Sequence, residues 1–258
     1  MNQSEKRQFL IQSLLKERPE YRDLSIQAES ESQRQLLRGL MNIRAPRRMD
    51  AEFLKTQDEY LQAETAAKGI TDIDDLTPVQ PRLYLWQGDI TTLRCDAIVN
   101  AANSGMTGCY IPNHRCIDNA IHTFAGVELR LACAELMRQQ GYPEPTGQAK
   151  ITPAFNLPCR YVLHTVGPII NGRVTKADEE LLASCYRSCL DLAAKQGLTS
   201  IAFCCISTGE FHFPNEKAAE IAVETVENYL KENGYPIKVI FNVFKDEDLI
   251  IYKNILTP

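Results

Sequence analysis

Residues 96–103 read Asp-Ala-Ile-Val-Asn-Ala-Ala-Asn, an apolar run that ends in an asparagine-rich turn. The apolar part does not alternate with polar residues, which is typical of a strand buried on both faces of a parallel sheet. Similar runs recur downstream, and helical patterns over residues 117–140, 178–196 and 215–233 separate several of them. Strands that alternate with helices predict an α/β fold with a mostly parallel sheet. The predicted strands span residues 83–86, 95–100, 149–154, 161–166, 200–206 and 238–243.

The pattern of apolar and polar residues changes near residue 75. Residues 1–75 carry only helical patterns and predict an N-terminal helical extension, and the polar stretch 71–78 predicts a linker. Residues 76–258 carry the α/β pattern and predict the main domain. A length of 258 residues suits one such domain with an appendage.

Composition narrows the classes of function. The net charge of −5 argues against a nucleic-acid partner held mainly by phosphate contacts. The chain has no apolar run of about 18 residues, so we expect no membrane partner, and its N-terminus lacks the apolar region of a secretory signal. Nine cysteines without regular spacing then indicate reduced thiols, and we expect a cytoplasmic protein.

The loop 108–116 reads Gly-Cys-Tyr-Ile-Pro-Asn-His-Arg-Cys. Cys109, His114 and Cys116 are sulfur and nitrogen ligands of the kind that Zn²⁺ prefers, and three protein ligands leave the fourth position open, as in catalytic sites. The spacing matches no zinc-finger pattern, so packed cysteines beside a surface histidine, or a disulfide, are alternatives. His122 is either a fourth ligand, which would close the site, or a helix side chain packed beneath the loop.

Three polar segments come directly after predicted strands, at residues 87–90, 100–105 and 207–211. Ligands of open α/β sheets bind beyond the carboxyl ends of the strands. The segment 207–211 combines hydroxyls with a glycine turn, and its backbone N–H groups could hold a diphosphate. Asp118, two residues after Cys116, is either a carboxylate that stabilises a helix N-terminus or a catalytic group.

Several of these motifs, in this order, resemble the macrodomain family over about residues 80–255. The resemblance implies a three-layer α/β/α macrodomain with a central mixed, mostly parallel sheet, here with the N-terminal helical extension added. The Cys-His-Cys loop resembles the zinc-dependent microbial subfamily in particular, whose members remove ADP-ribose from modified proteins. The motifs that carry the likeness lie at residues 88–90, 96–103, 118–122, 164–168 and 206–209.

The resemblance implies roles for individual residues. Asp89 would accept a hydrogen bond from the adenine amino group, with the Ile90 backbone beside it. Asn103 would hold the distal ribose, Asn100 would support that loop, and Phe211 would lie against the same ribose. The implied ADP-ribose-binding residues are Asp89, Ile90, Asn100, Asn103, Ile117, Asp118, Ser207, Thr208, Gly209, Glu210 and Phe211. The implied catalytic residues are Asp118 and Cys116, and the implied metal ligands are Cys109, His114 and Cys116.

The implied activity is zinc-dependent hydrolysis that removes mono-ADP-ribose from modified proteins, with Asp and Glu side chains as the expected linkage. Asp118 would orient water or move a proton, and zinc would polarise a substrate oxygen or acidify a bound water. The resemblance also suggests a lipoyl-carrier protein as the modified partner. The alternatives are a non-catalytic reader of ADP-ribose and a recruiting role for the N-terminal helices. Glu210 departs from the aliphatic residue of many relatives, and it either points away from the cleft or serves the metal or the water.

Overall fold

The structure, a computed structural model, describes residues 1–21 and 24–257. Its main sheet has six strands in the spatial order β2-β8-β7-β4-β6-β5. All neighbouring pairs are parallel except β5 and β6, which run antiparallel, so the predicted mixed, mostly parallel sheet is confirmed. The strands are β1 (Thr71–Asp72), β2 (Leu83–Gln87), β3 (Leu93–Arg94), β4 (Ala97–Ala101), β5 (Ala149–Pro153), β6 (Tyr161–Thr165), β7 (Ser200–Phe203) and β8 (Lys238–Val243).

Helices complete the three-layer α/β/α arrangement and form the N-terminal region. They are α1 (Gln3–Lys16), α2 (Ser30–Ile43), α3 (Ala51–Lys68), α4 (Ile117–Ala125), α5 (Val127–Gln140), α6 (Lys176–Lys195), α7 (Asn215–Asn233) and α8 (Asp246–Leu256). Helix α3 begins after Asp50, because the Asp50 side chain accepts a hydrogen bond from the Phe53 N–H. Among the described residues, no helix is both long and apolar enough to cross a membrane.

The strand β4 lies at the centre of the sheet, which explains its unbroken apolar sequence. Its residues Ala97, Ile98 and Val99 are fully buried, and it pairs with β6 on one side and β7 on the other. A strand covered on both faces has no position for a solvent-facing polar side chain. The apolar cluster around β4 continues through most of the α/β domain.

The N-terminal helices build a second apolar cluster of their own. Leu10 of α1, Leu37 of α2 and Phe53 of α3 pack together in it, and Val127 at the start of α5 joins them. The stretch 71–78 is also ordered, because β1 pairs in parallel with β3 and Ile73 is buried. The N-terminal region is therefore packed against the α/β domain. The division between residues 75 and 76 stays a prediction.

The sequence pattern over 117–140 predicted one helix, and the structure has two, α4 and α5. The break falls at Gly126, whose φ of +97° and ψ of 175° lie in a region that only glycine adopts readily. The Gln57 side chain of α3 packs against the backbone between α4 and α5, and its Oε1 accepts a hydrogen bond from the Val127 N–H at 2.9 Å. The predicted strand 200–206 is likewise shorter, ending at Phe203, and α8 was not predicted.

We expect Gly126→Ala to destabilise the protein more than Gly141→Ala. Both glycines have positive φ, but a Cβ at Gly126 would lie 2.6 Å from Gln57 Nε2, whereas one at Gly141 would meet nothing within 4 Å. Backbone strain at the Gly141 site costs about 1 kcal/mol, and strain with a clash at Gly126 costs about 3 kcal/mol. Urea unfolding of both variants measures the difference. An equal loss in free energy of unfolding would contradict the tight fit around Gln57.

Candidate functional site

A cleft of about 1160 Å³ opens at the carboxyl ends of β2, β4, β7 and β8. It has the position expected for the ligand site of an open α/β sheet. The structure brings nearly all the predicted site residues together in its lining. They are Asp89, Ile90, Asn103, Cys109, His114, Cys116, Ile117, Asp118, Ser207, Thr208, Gly209, Glu210 and Phe211. The exception is Asn100, which is fully buried behind the cleft wall.

At one side of the cleft, Asp89 lies just after β2 and begins a short 3-10 helix. Its Oδ1 accepts hydrogen bonds from the Thr91 N–H at 3.0 Å and hydroxyl at 2.6 Å, and its Oδ2 accepts one from Lys68 Nζ at 3.0 Å. Burial raises the pKa of Asp89, but the Thr91 hydrogen bonds and the Lys68 charge outweigh it, so the pKa lies below its ordinary value. Asp89 is therefore a fixed carboxylate that faces the cleft.

The loop 207–211 presents unpaired backbone donors to the cleft. Ser207 has a left-handed φ of 65°, and its carbonyl accepts a hydrogen bond from the Phe213 N–H at 2.9 Å. Within the described ranges, the N–H groups of residues 208–211 donate to no protein atom. The Ser207 hydroxyl is buried against Gly167 and also has no partner there. Converging free donors of this kind suit an anionic ligand.

Cys109, His114 and Cys116 form a compact triplet. Their ligand atoms all lie within 4.8 Å of one another, and the Cys109 Sγ is 3.6 Å from His114 Nδ1. Both cysteines are free thiols, so the disulfide alternative is not what the structure contains. Burial raises the pKa of the Cys116 thiol to about 12, and the nearby Cys109 thiol adds to this. A thiolate here requires a cation that replaces the proton.

Glu210 faces the triplet across the cleft. Its Oε1 lies 3.5 Å from His114 Nε2, on the ring edge opposite the nitrogen that faces Cys109. The alternative that Glu210 points away from the cleft is therefore wrong. A carboxylate beside the outer nitrogen of a histidine is the common support for a metal-binding imidazole.

Asp118 lies in the first turn of α4, and two asparagines hold its carboxylate. Asn100 Nδ2 donates to Oδ1 at 2.8 Å, and Asn103 Nδ2 donates to Oδ2 at 3.3 Å. Burial raises the pKa of Asp118 to about 6, against the opposing effects of the Asn100 hydrogen bond and the Arg130 charge. The carboxylate thus lies at the start of a helix, and its oxygens are held by side chains at the cleft wall.

His122 packs beneath the loop 108–116 and does not join the triplet. A Cβ at Gly108 would lie only 2.8 Å from the His122 ring, so glycine is required where the loop crosses it. The His122 ring lies instead with Cys133 and His164, in a buried cluster whose ligand atoms are also within 4.8 Å of one another. Of the two alternatives for His122, the structure contains the helix side chain packed beneath the loop.

His164 is fully buried in β6. Its Nδ1 lies 3.2 Å from Asn100 Nδ2, and its Nε2 lies 2.9 Å from Thr152 Oγ1. Both His164 ring nitrogens are thus engaged by protein groups. The Asn100 amide, held by His164 from behind, is in turn aimed at Asp118.

The cleft lining also contains residues that the sequence analysis did not single out, and four of them show why. Phe244 and Lys245 come directly after β8, so the rule that located the other strand-end segments would have found them. Arg38 and Lys68 come from α2 and α3 in the N-terminal region. No local pattern marks these two, since they reach the cleft only through tertiary packing.

We expect His164 to make the fold sensitive to acid. Burial lowers its pKa to about 3, whereas in the unfolded chain it binds a proton below about pH 6.5. The unfolded state therefore takes up the proton first, and stability falls as the pH drops from about 6.5 toward 3, by up to about 1.4 kcal/mol per pH unit. Urea unfolding of His164→Gln between pH 7 and pH 5 should show a shallower loss than the parent protein.

The matched control is His212→Gln, which changes an exposed histidine. It should keep the pH dependence of the parent protein. The same slope in His164→Gln and the parent would contradict a buried neutral imidazole at His164.

A family model described as "Macro domain" matches residues 99–222. A protein from Treponema medium named protein-ADP-ribose hydrolase is 58% identical and covers 100% of both chains. One of the same name from Staphylococcus aureus strain MRSA252 is 52% identical over 95% of this chain and 93% of its own. The chain belongs to the macro domain family.

Solved structures agree with this assignment. The Trypanosoma brucei macrodomain in complex with ADP-ribose is 30% identical, with a TM-score of 0.66, covering 84% of this chain and 94% of its own. The Oceanobacillus iheyensis macrodomain with ADP is 40% identical, with a TM-score of 0.63, covering 69% of this chain and 92% of its own. The second comparison leaves about a third of this chain unmatched, whereas the protein-ADP-ribose hydrolases match nearly all of it.

Proposed function

We propose that this protein is a zinc-dependent hydrolase that removes mono-ADP-ribose from the Asp or Glu side chains of modified proteins. The observation that carries the proposal is the position of Asp118. Its carboxylate lies in the lining of the same cleft as the Cys109–His114–Cys116 triplet and the free donors of the loop 207–211. The names of the relatives that match along the whole chain support hydrolysis of protein-linked ADP-ribose.

The triplet fits a zinc ion. Tetrahedral coordination with Zn–S near 2.3 Å and Zn–N near 2.0 Å requires a sulfur–nitrogen separation of about 3.5 Å. Cys109 Sγ and His114 Nδ1 lie 3.6 Å apart. Glu210 is placed to accept a hydrogen bond from His114 Nε2, which would leave Nδ1 free to bind the metal. Two sulfurs and one imidazole leave a fourth position for water or substrate.

The remaining residues position the substrate. Asp89 is a fixed acceptor for the adenine amino group, and the free N–H groups of residues 208–211 suit the diphosphate. Asn103 would contact the distal ribose while it also holds Asp118. Binding energy from the ADP part would thereby place the ribose C1″ next to Asp118 and the triplet.

Hydrolysis adds water across the bond between C1″ and the carboxyl oxygen, and it yields ADP-ribose and a free carboxylic acid. A bound zinc ion would supply Lewis-acid polarisation of an oxygen or acidify a water. Asp118 would orient the water and accept its proton. Asn100 and Asn103 keep the carboxylate oxygens at fixed positions for that transfer. The lipoyl-carrier protein suggested as substrate stays a prediction.

We expect Cys116→Ala to abolish both metal binding and turnover. The substitution removes one of three protein ligands, and two ligands rarely hold zinc. The metal content of the purified protein is measured together with the release of ADP-ribose from Asp/Glu-, Ser- and Arg-linked substrates. The parent protein should cleave only the Asp/Glu-linked substrates. Cys95→Ser is the control, because Cys95 is buried at the other end of β4 and its thiol donates to the Ala97 carbonyl, which a hydroxyl can also do. Full turnover by a metal-free Cys116→Ala protein would disprove the zinc mechanism.

We expect Asp118→Asn to separate binding from catalysis. An amide keeps an acceptor for Asn100 but cannot take a proton, so turnover should fall about 10²- to 10⁴-fold. Calorimetry should show that zinc and free ADP-ribose still bind. Asp178→Asn, at the exposed start of α6, is the control that leaves both unchanged. Binding of ADP-ribose without any turnover by the parent protein would favour the alternative of a non-catalytic reader.

A further inference from the structure

The metal loop, residues 107–116, has little structure of its own. It lies between β4 and α4, contains neither helix nor strand, and carries left-handed φ angles at Gly108 and Asn113. Its one internal backbone hydrogen bond in the described part of the chain runs from the His114 N–H to the Ile111 carbonyl at 3.2 Å. Three metal ligands on so loose a segment need support from outside the loop.

One face of helix α2 supplies such support. Arg38 and Asn42 are four residues apart and therefore lie on the same side of the helix. Arg38 Nη2 donates to the His114 carbonyl at 3.0 Å, and Asn42 Oδ1 accepts from the Asn113 N–H at 2.9 Å. The loop packs directly against this face, since a Cβ at Gly39 would lie in ordinary contact distance, 3.4 Å, of Asn113 Nδ2.

Arg38 also reaches Cys116, through Asn119 of α4. The Arg38 guanidinium donates twice to Asn119 Oδ1, at 2.8 and 3.2 Å. Asn119 then donates from Nδ2 to the Ile111 carbonyl at 3.0 Å and from its backbone N–H to Cys116 Sγ at 3.4 Å. A single arginine of the N-terminal region thus contacts the His114 carbonyl and the side chain of Asn119, the residue whose backbone N–H touches the Cys116 sulfur.

Cys109, the third ligand, is connected to the C-terminal end of the same helix through Arg130. Arg130 of α5 donates to the Cys109 carbonyl at 3.3 Å, and it also donates to the carbonyls of Asn42 and Arg44 where α2 ends. Cationic side chains are favoured at this end of a helix, where carbonyls lack intrahelical partners. All three ligands of the triplet are therefore connected to α2 through at most one intermediate residue.

We propose that helix α2 preorganises the metal loop and that Arg38 is its principal positioning residue, an inference that rests on the zinc binding proposed above. The N-terminal helices are in this respect part of the metal site. Their role is to keep Cys109, His114 and Cys116 in one arrangement before the ion binds. This role is independent of any recruitment of a protein partner. Support of this kind changes metal affinity because a mobile loop must be ordered when the metal binds.

The test compares zinc affinity in Arg38→Met and Arg34→Met, measured by competition with a chelating dye on the full chain. Methionine keeps the length and apolar stem of arginine but donates no hydrogen bonds. We expect Arg38→Met to bind zinc about 10- to 100-fold more weakly than the parent protein. Arg34, one turn earlier on α2, pairs with Glu64 and Ser30 away from the loop, so Arg34→Met should bind zinc as the parent does.

Arg38→Lys provides a second measurement that does not depend on how well the methionine variant folds. Lysine keeps the charge but can reach only one of the two acceptors, the His114 carbonyl and Asn119 Oδ1. The zinc affinity of Arg38→Lys should therefore fall between those of Arg38→Met and the parent. Thermal unfolding of all variants with zinc chelated reports whether the fold is intact. Equal zinc affinity of Arg38→Met and the parent would overturn the inference, and so would an equal loss in Arg34→Met. A parent protein that binds no zinc would instead overturn the proposed function.

Discussion

The hydrogen bond from Asn100 Nδ2 to Asp118 Oδ1, 2.8 Å long, joins the central strand of the sheet to the helix that begins after the metal loop. Asn100 is fully buried at the end of β4, directly opposite His164 in the register of the neighbouring strand β6. The sheet therefore fixes the amide, and the amide fixes the carboxylate. Because Cys116 is the residue that caps the same helix, the position of one member of the Cys109–His114–Cys116 triplet depends on this contact as well.

The two sides of the cleft are also linked across its opening. The loop 207–211 offers backbone donors to one part of a ligand, and its Glu210 reaches His114 on the metal loop. Glu210, which departs from the aliphatic residue of many relatives, thus has a partner in the imidazole of His114. A substrate that orders this loop would also fix the carboxylate that supports the imidazole.

The N-terminal region enters the site from a different direction. Arg38 and Lys68 lie in helices whose apolar faces form a separate cluster, and both side chains reach the cleft lining. Lys68 pairs with Asp89 and also lies 3.3 Å from the centre of the Phe124 ring. The α/β domain and the helical extension therefore share one site, and the relatives that match the whole length of this chain carry the hydrolase name.

Sequence by itself determined the class of fold and most of the candidate site. Strand β8 was predicted at its observed bounds. The chemistry-bearing segments were found because parallel strands place their carboxyl ends, and the loops attached to those ends, at one edge of the sheet. The spacing of Cys109, His114 and Cys116 likewise identified three residues that a single loop brings together.

Only the tertiary structure decided the rest. Arg38 contacts Asn119 across 81 positions of sequence, and contacts at that separation leave no periodic or local pattern to read. The sequence left two alternatives for His122, and the position of its ring beneath Gly108 decides between them. The backbone break at Gly126 is held by Gln57, which lies about 70 positions earlier in the sequence. Local sequence selects helices, strands and loop chemistry, whereas the side chains that hold a loop in place are chosen by packing between segments.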